Sequence, residues 1–152
     1  MANTYSKIYL HVIFAVKGRE SLLANDIQPR IFQYMRTVVS DMGHTMVAVG
    51  GIENHVHLLL QYHPSQPLPD LIKQLKTATT KLINANKLTV KKFAWQRGYA
   101  CFSYSPSHVD AVRNYILNQK AHHKKIAFHD ELIDTFIKFG VEFDESYIFD
   151  EE

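Results

Sequence analysis

Residues 52–60, Ile-Glu-Asn-His-Val-His-Leu-Leu-Leu, admit few folds. Their aliphatic content and the preceding Gly50-Gly51 pair predict a buried strand entered from a tight turn. Strand side chains alternate between faces, so His55 and His57 share one, with Cα atoms ~6.6 Å apart at a rise of ~3.3 Å per residue. That separation lets two imidazole nitrogens converge on one ion. Burying such a pair costs free energy without partners, so either a metal or ordinary hydrogen-bonding groups must face it.

The rest of the chain supplies elements around this strand. Ile8, Leu10, Val12 and Phe14 alternate with Tyr9, His11 and Ile13, which predicts a first strand over residues 7–17. Asn25 or Asp26 can cap a helix running to Asp41, with an apolar stripe of Ile27, Ile31, Tyr34, Met35, Val38 and Val39. Residues 45–49 form a second strand, Gly50-Gly51 the turn, and residues 53–62 the histidine-bearing third strand. Beyond Pro64, Pro67 and Pro69, helical spacing of Leu71, Ile72, Leu75, Ala78, Leu82 and Ile83 predicts a helix over residues 70–84. Residues 93–104 read as a loop feeding a fourth strand, and Ser107 with Asp110 as a capping box opening a helix to about His122. A short helix over residues 130–139 and an acidic tail over about 140–152 follow. This order is that of an α+β, ferredoxin-like (RRM-like) antiparallel sheet backed by helices, with a further C-terminal helix carrying Tyr115. The first and third strands are then central neighbours, and His11 can share the face of His55 and His57. It is there a supporting or substrate contact, or a sheet histidine satisfied locally.

A length of 152 residues suits one domain spanning residues 1–152, which buries roughly two thirds of the surface its unfolded chain exposes. Cys101 is the single cysteine, which excludes an internal disulfide framework. The opening residues lack the pattern of a secretory signal, and no apolar run approaches the about eighteen residues that span a bilayer. A cytoplasmic protein without membrane attachment is expected.

The formal net charge of +2 conceals a strong asymmetry. Residues 71–97 hold seven bases, Lys73, Lys76, Lys81, Lys87, Lys91, Lys92 and Arg97, and no acid. Residues 126–152 hold nine acids against Lys138 alone. The basic stretch suits a polyanion, nucleic acid first, or else is a solvated helix face. The acidic end solvates the chain or packs on basic surface.

Chemistry converges on the helix after Ser107. Tyr115 and Gln119 are neighbours at i and i+4. A phenol, with an unperturbed pKa of ~10, attacks phosphodiesters once its proton is lost or stabilised. A metal beside it would neutralise and orient the phosphate, and the Gln119 amide oxygen could join the two histidines as a third ligand. Read alone, without the histidine pair, Tyr115 suits an amphipathic residue at a core edge better than a nucleophile.

The His-hydrophobic-His strand, Tyr115-Ile116-Leu117-Asn118-Gln119, Trp95-Gln96-Arg97-Gly98-Tyr99, the opening Tyr9 to Phe14 and the segment Phe139 to Asp144 together resemble the small single-tyrosine HUH transposases of the insertion-sequence 200/605 group. The resemblance spans almost the whole chain. It implies a homodimer that cuts and rejoins single-stranded DNA at transposon ends and recognises hairpins near them. Tyr115 would be the nucleophile of a 5′-phosphotyrosine intermediate, and His55, His57 and Gln119 would bind Mg²⁺ or Mn²⁺. In that family the tyrosine helix can also act in trans, on the partner's histidines. Lys73, Lys76, Lys81, Lys91, Lys92, Arg97 and His11 would contact DNA, with Trp95, Tyr99 or Phe102 available for stacking unless they are core or dimer interface. The alternatives are a domesticated, non-mobile tyrosine nuclease, a hydrolase that uses water, and a binding module without cleavage.

Overall fold

The computed structural model describes residues 4–144. Four strands, β1 (Ile8–Ala15), β2 (Thr45–Ile52), β3 (His55–Tyr62) and β4 (Ala100–Tyr104), form one antiparallel sheet in the order β2-β3-β1-β4. Helices α1 (Gln28–Asp41) and α2 (Leu68–Ala85) connect them, and α3 (Val109–Leu117), α4 (Gln119–His122) and α5 (Phe128–Phe139) follow. The fold is α+β and ferredoxin-like, with β1 and β3 at the centre.

The period-two pattern of the strands divides the molecule into layers. Val12, Phe14, Val56, Leu58 and Leu60 face α1 and α2, where Ile31, Met35, Val39, Leu71, Leu75 and Ile83 close the main core. The other sheet face carries Ile13, Ala15, Ala100 and Phe102 against Phe128, Leu132 and Phe136 of α5. Beside them Ala48 and Leu59 receive Val112 and Ile116 of α3. Burying side chains of this size contributes about 1.5–3 kcal/mol each, so α5 is held by a substantial apolar anchor. His11, His55 and His57 have the odd parity of this second face, and it is here that the helices after β4 settle.

Several boundaries differ from the sequence expectation, each for a local reason. Gly50 and Gly51 do not make the turn; they continue β2, pairing with His57 and Val56, and Glu53-Asn54 makes the turn instead. A Cβ on Gly50 would lie 2.3 Å from the Ile116 carbonyl oxygen, so glycine serves here to let α3 approach the sheet. Helix α1 begins at Gln28 with proline in its first turn, and neither Asn25 nor Asp26 caps it. The capping box at Ser107 does not form either. Residues 106–108 make a 3₁₀ turn in which the Ser107 hydroxyl meets Ser105 and His108, and α3 opens at Val109. The helix to His122 is interrupted at Asn118, whose N–H still reaches the Asn114 carbonyl at 3.1 Å. Helix α2 starts two residues earlier than expected because Pro69 is tolerated in a first turn. Of the acidic tail, residues 145–152 lie outside the described residues.

Candidate active site

Strand β3 delivers His55 and His57 to the face covered by α3, α4 and α5, and both are fully buried. Each imidazole is oriented by a neighbour. His55 Nδ1 lies 2.8 Å from Asn54 Oδ1, and His57 Nδ1 lies 2.8 Å from Nε2 of His11, which is 2% exposed. His11 therefore stands behind the histidine pair and is not displayed at the surface. Burial lowers its pKa to about 3 and that of His55 to about 4, so both rings are neutral at physiological pH.

The tyrosine helix crosses above them. With Gly50 admitting the Ile116 backbone, Tyr115 sits with its ring centroid 5.8 Å from that of His57. Gln119, at the start of α4, places Oε1 3.3 Å from His55 Nε2. The tyrosine helix thus meets the histidine pair of its own chain.

Sequence reasoning missed the group at the centre of this cluster. Glu131 of α5 is 3% exposed, and its Oε1 lies 3.0 Å from His57 Nε2 and 3.6 Å from His55 Nε2. Its Oε2 lies 3.1 Å from His122 Nε2 and 3.3 Å from His123 Nε2, and it accepts a hydrogen bond from the Tyr115 hydroxyl. Burial alone would raise its carboxyl pKa, but hydrogen bonds from His123, His55 and His57 outweigh burial and hold it well below the usual carboxylate range. Tyr115 is pushed the other way, well above an ordinary phenol, by burial and then by Glu131. The acidic end is therefore not only a solvating segment. A signal did exist: Glu131 falls three residues after Phe128 and one before Leu132, within the buried stripe of α5.

His55, His57, His123 and Glu131 present ligand atoms all within 4.8 Å of one another, a group that could hold a metal ion. The donor chemistry fits a cation. His123 Nδ1 faces the Ile126 carbonyl at 2.8 Å and His55 Nδ1 faces an amide oxygen, so each ring has an acceptor for a proton on Nδ1. With an ion in place, both Nε2 atoms would turn their lone pairs to it instead of the hydrogen bonds they give Glu131. They face Gln119 Oε1 at 2.9 and 3.3 Å and Glu131 oxygens at 3.3 and 3.6 Å. Imidazole nitrogens, an amide oxygen and a carboxylate gathered in this way are a donor set for a divalent cation.

The basic residues occupy another part of the molecule. Lys73, Lys76, Lys81 and Arg97 line a groove of about 640 Å³ between α2 and the loop before β4, together with Tyr99. Helix α2 packs on the sheet face opposite the histidines. Lys76 Nζ also donates to the carbonyls of Gln96 and Gly98 at 2.8 and 2.7 Å, holding that loop in place. Lys91 pairs with Glu20, and Lys92 is exposed beside it. Trp95 is core, 8% exposed between Phe14 and Phe93, with its indole N–H on Thr79 Oγ1. Phe102 packs on Phe136 and Phe139. Of the three aromatic residues considered for stacking, Tyr99 alone lines the groove without being core.

Burial of neutral imidazoles makes the fold acid-sensitive. Folded-state pKa values of about 3 and 4, below an unperturbed ~6.5, mean that the unfolded chain binds more protons in between. In metal-free protein, stability is expected to fall as pH drops from about 6.5 toward 4, by about 1.4 kcal/mol per unit for each histidine. Urea midpoints measured across this range with a chelator present check it, and His11→Gln should reduce the slope. A flat profile in the wild type contradicts it.

A profile of the family described as transposase IS200 like matches residues 4–119, which takes in all four strands, both β3 histidines, Tyr115 and Gln119 but stops before α5. The ISDra2 transposase TnpA of Deinococcus radiodurans is 26% identical over 114 residues, 72% of this chain and 81% of that protein. A Deinococcus radiodurans protein solved in crystals as a candidate transposase aligns with a TM-score of 0.63 at 25% identity, covering 78% of this chain and 95% of that one. A REP-associated tyrosine transposase solved with a REP hairpin aligns at 0.61 and 14% identity, covering 83% and 74%, a likeness that speaks for the fold. Among the described residues no helix is long and apolar enough to cross a membrane. Because one match embraces both the histidine strand and the tyrosine helix that meets it, this chain belongs to the IS200-like transposase family.

Proposed function

We propose that this transposase is a single-domain, single-tyrosine enzyme of the cytoplasm that cleaves and rejoins single-stranded DNA at transposon ends, recognising hairpins near them. The observation that carries the proposal is the convergence of Tyr115 Oη, His55 Nε2, His57 Nε2, Gln119 Oε1 and the Glu131 carboxylate in one buried cluster. Tyr115 Oη forms the bond to phosphorus while the bond to the 3′-oxygen breaks. The nearest acceptor for the phenol proton is Glu131, which already takes its hydrogen bond. The product is a 5′-phosphotyrosine and a free 3′-hydroxyl, and because the phosphodiester energy is retained, another 3′-hydroxyl can reverse the step.

The residues that would hold Mg²⁺ or Mn²⁺ are His55, His57 and Gln119, with Glu131 and His123 in reach. A mixed nitrogen and oxygen set suits Mn²⁺ better than a purely oxygen-seeking ion. Such an ion supplies charge neutralisation at the phosphate. Orientation comes from the chain itself, through Asn54 and His11 behind the histidine pair and Glu131 beside the phenol.

Lys73, Lys76, Lys81 and Arg97 follow phosphates along their groove, with Tyr99 as a stacking surface and Lys91 and Lys92 extending the positive field. Groove and cluster lie on opposite sheet faces, so a hairpin in the groove sends its single strand around the β4 edge to reach Tyr115. A homodimer is proposed as the working unit, and exposed Leu117 and Ile137, on the tyrosine helix and α5, suit an apolar contact.

Incubation of the wild type with single strands from the flanks of its own gene, plus Mn²⁺ or Mg²⁺, should yield a protein–DNA adduct that survives denaturation and is absent with chelator. Cleavage with no adduct at any time would overturn the covalent route.

A further inference from the structure

A second cavity lies against the tyrosine, beside the cluster of histidines and Glu131. It measures about 240 Å³ and is walled by Tyr104 and His11 of the sheet, Tyr115 of α3, and Thr135, Lys138 and Phe139 of α5. Sites that take whole small molecules run to ~300–1,000 Å³, so this one suits a fragment. Its chemistry is specific. Tyr104 and Phe139 meet edge to face with centroids 5.3 Å apart, which leaves an aromatic corner. His11 lines the cavity and spends Nε2 on His57, while its Nδ1 is buried with no hydrogen-bond partner. Buried polar atoms in native proteins are nearly always paired, so an orphan atom on a residue that lines a cavity points to a ligand there. Lys138 is exposed on the same wall.

We propose that this cavity is a nucleobase subsite, which receives the one unpaired base next to the phosphodiester that Tyr115 attacks. The proposal rests on reading the chain as a tyrosine transposase. The base stacks in the Tyr104–Phe139 corner, hydrogen-bonds to His11 Nδ1, and leaves its own phosphate beside Lys138. The volume does not admit a base pair, so the DNA must be single-stranded at this point. Because Tyr115 is itself a wall, a seated base fixes the register of the strand relative to the nucleophile. Thr135, Lys138 and Phe139 lie beyond the matched residues 4–119, so this wall sets a preference for the flanking base that belongs to this chain.

The test uses wild type and Ala111→Trp; Ala111 is an exposed lining residue of α3, and a larger side chain there fills the cavity. Titration with each deoxynucleoside 5′-monophosphate should shift the His11 side-chain ¹⁵N resonance saturably for at least one base in wild type, and for none in Ala111→Trp. The buried His44, in a separate cluster with Tyr62 and Gln66, reports on folding. If its resonance shows Ala111→Trp to be unfolded, Phe139→Ala replaces it, with the shift expected to weaken about tenfold. No His11 shift with any of the four nucleotides, or an equal shift in the filled variant, overturns the subsite. In the adduct assay, an abasic residue beside the cleaved bond should slow wild type about tenfold and leave Ala111→Trp unaffected. Nucleotide binding without any adduct would sink the transposase chemistry but keep the subsite. Adducts formed with no dependence on the flanking base, and no His11 shift, would sink the subsite alone.

Discussion

Tyr115→Phe is expected to bind hairpin-bearing single strands as tightly as wild type, within about twofold, and to form no covalent adduct at all. The substitution keeps the ring, and with it the edge contacts to His57, His11 and His122. It removes one oxygen. Glu131 loses its phenolic donor but keeps His57, His122, His123 and the Gln119 amide, so the change in stability should stay near the ~0.5–1.5 kcal/mol of a single hydrogen bond. The basic groove is on the other sheet face and should be unaffected. Gel-shift affinity and adduct yield on the same DNA separate these expectations. Cleavage that persists in Tyr115→Phe would mean that water is the nucleophile. Tight binding with no cleavage by wild type would mean a binding module that has kept the fold.

What could be read from the sequence was whatever strand and helix periodicity determine. Alternation alone puts His55 and His57 on one face, and the central pairing of β1 with β3 adds His11 to it; the observed register sets Ile13 opposite His57, with His11 two residues along on the same face. The i, i+4 relation of Tyr115 and Gln119 survives the break at Asn118, because the chain there keeps its helical hydrogen bond. Long-range packing was not legible. Glu131 reads as one acid among nine, and only the closure of α5 over the sheet shows that its neighbours are four imidazoles and a phenol. Trp95 stands in a basic segment and looks like a stacking residue, yet Thr79 of α2 satisfies its indole inside the core. Gly50-Gly51 fits a turn equally well in one dimension. The reason for Gly50 is the backbone of Ile116, 66 residues further along the chain.

Gly50→Ala should therefore act on the chemistry through the backbone of α3. The added methyl would sit 2.3 Å from the Ile116 carbonyl oxygen and 3.1 Å from its carbonyl carbon, and neither is the tip of a side chain that could swing away. Either α3 lifts or β2 bends. Overpacking of this kind typically costs about 1–3 kcal/mol, well within what a domain of this size survives. Lifting α3 carries Tyr115, the next residue back, away from Glu131 and His57, and Gln119 away from His55. A misplacement of about 1 Å at a reacting group costs roughly 10²-fold in rate. Adduct formation should fall by that factor or more while hairpin affinity, set by the groove on the far side of the sheet, stays unchanged. The metal response separates this from general damage: if Gln119 has moved with the helix, the Mn²⁺ concentration for half-maximal activity should rise along with the loss of rate. A variant that loses stability but cleaves at the wild-type rate once folded would show that α3 does not need this close approach to hold its nucleophile.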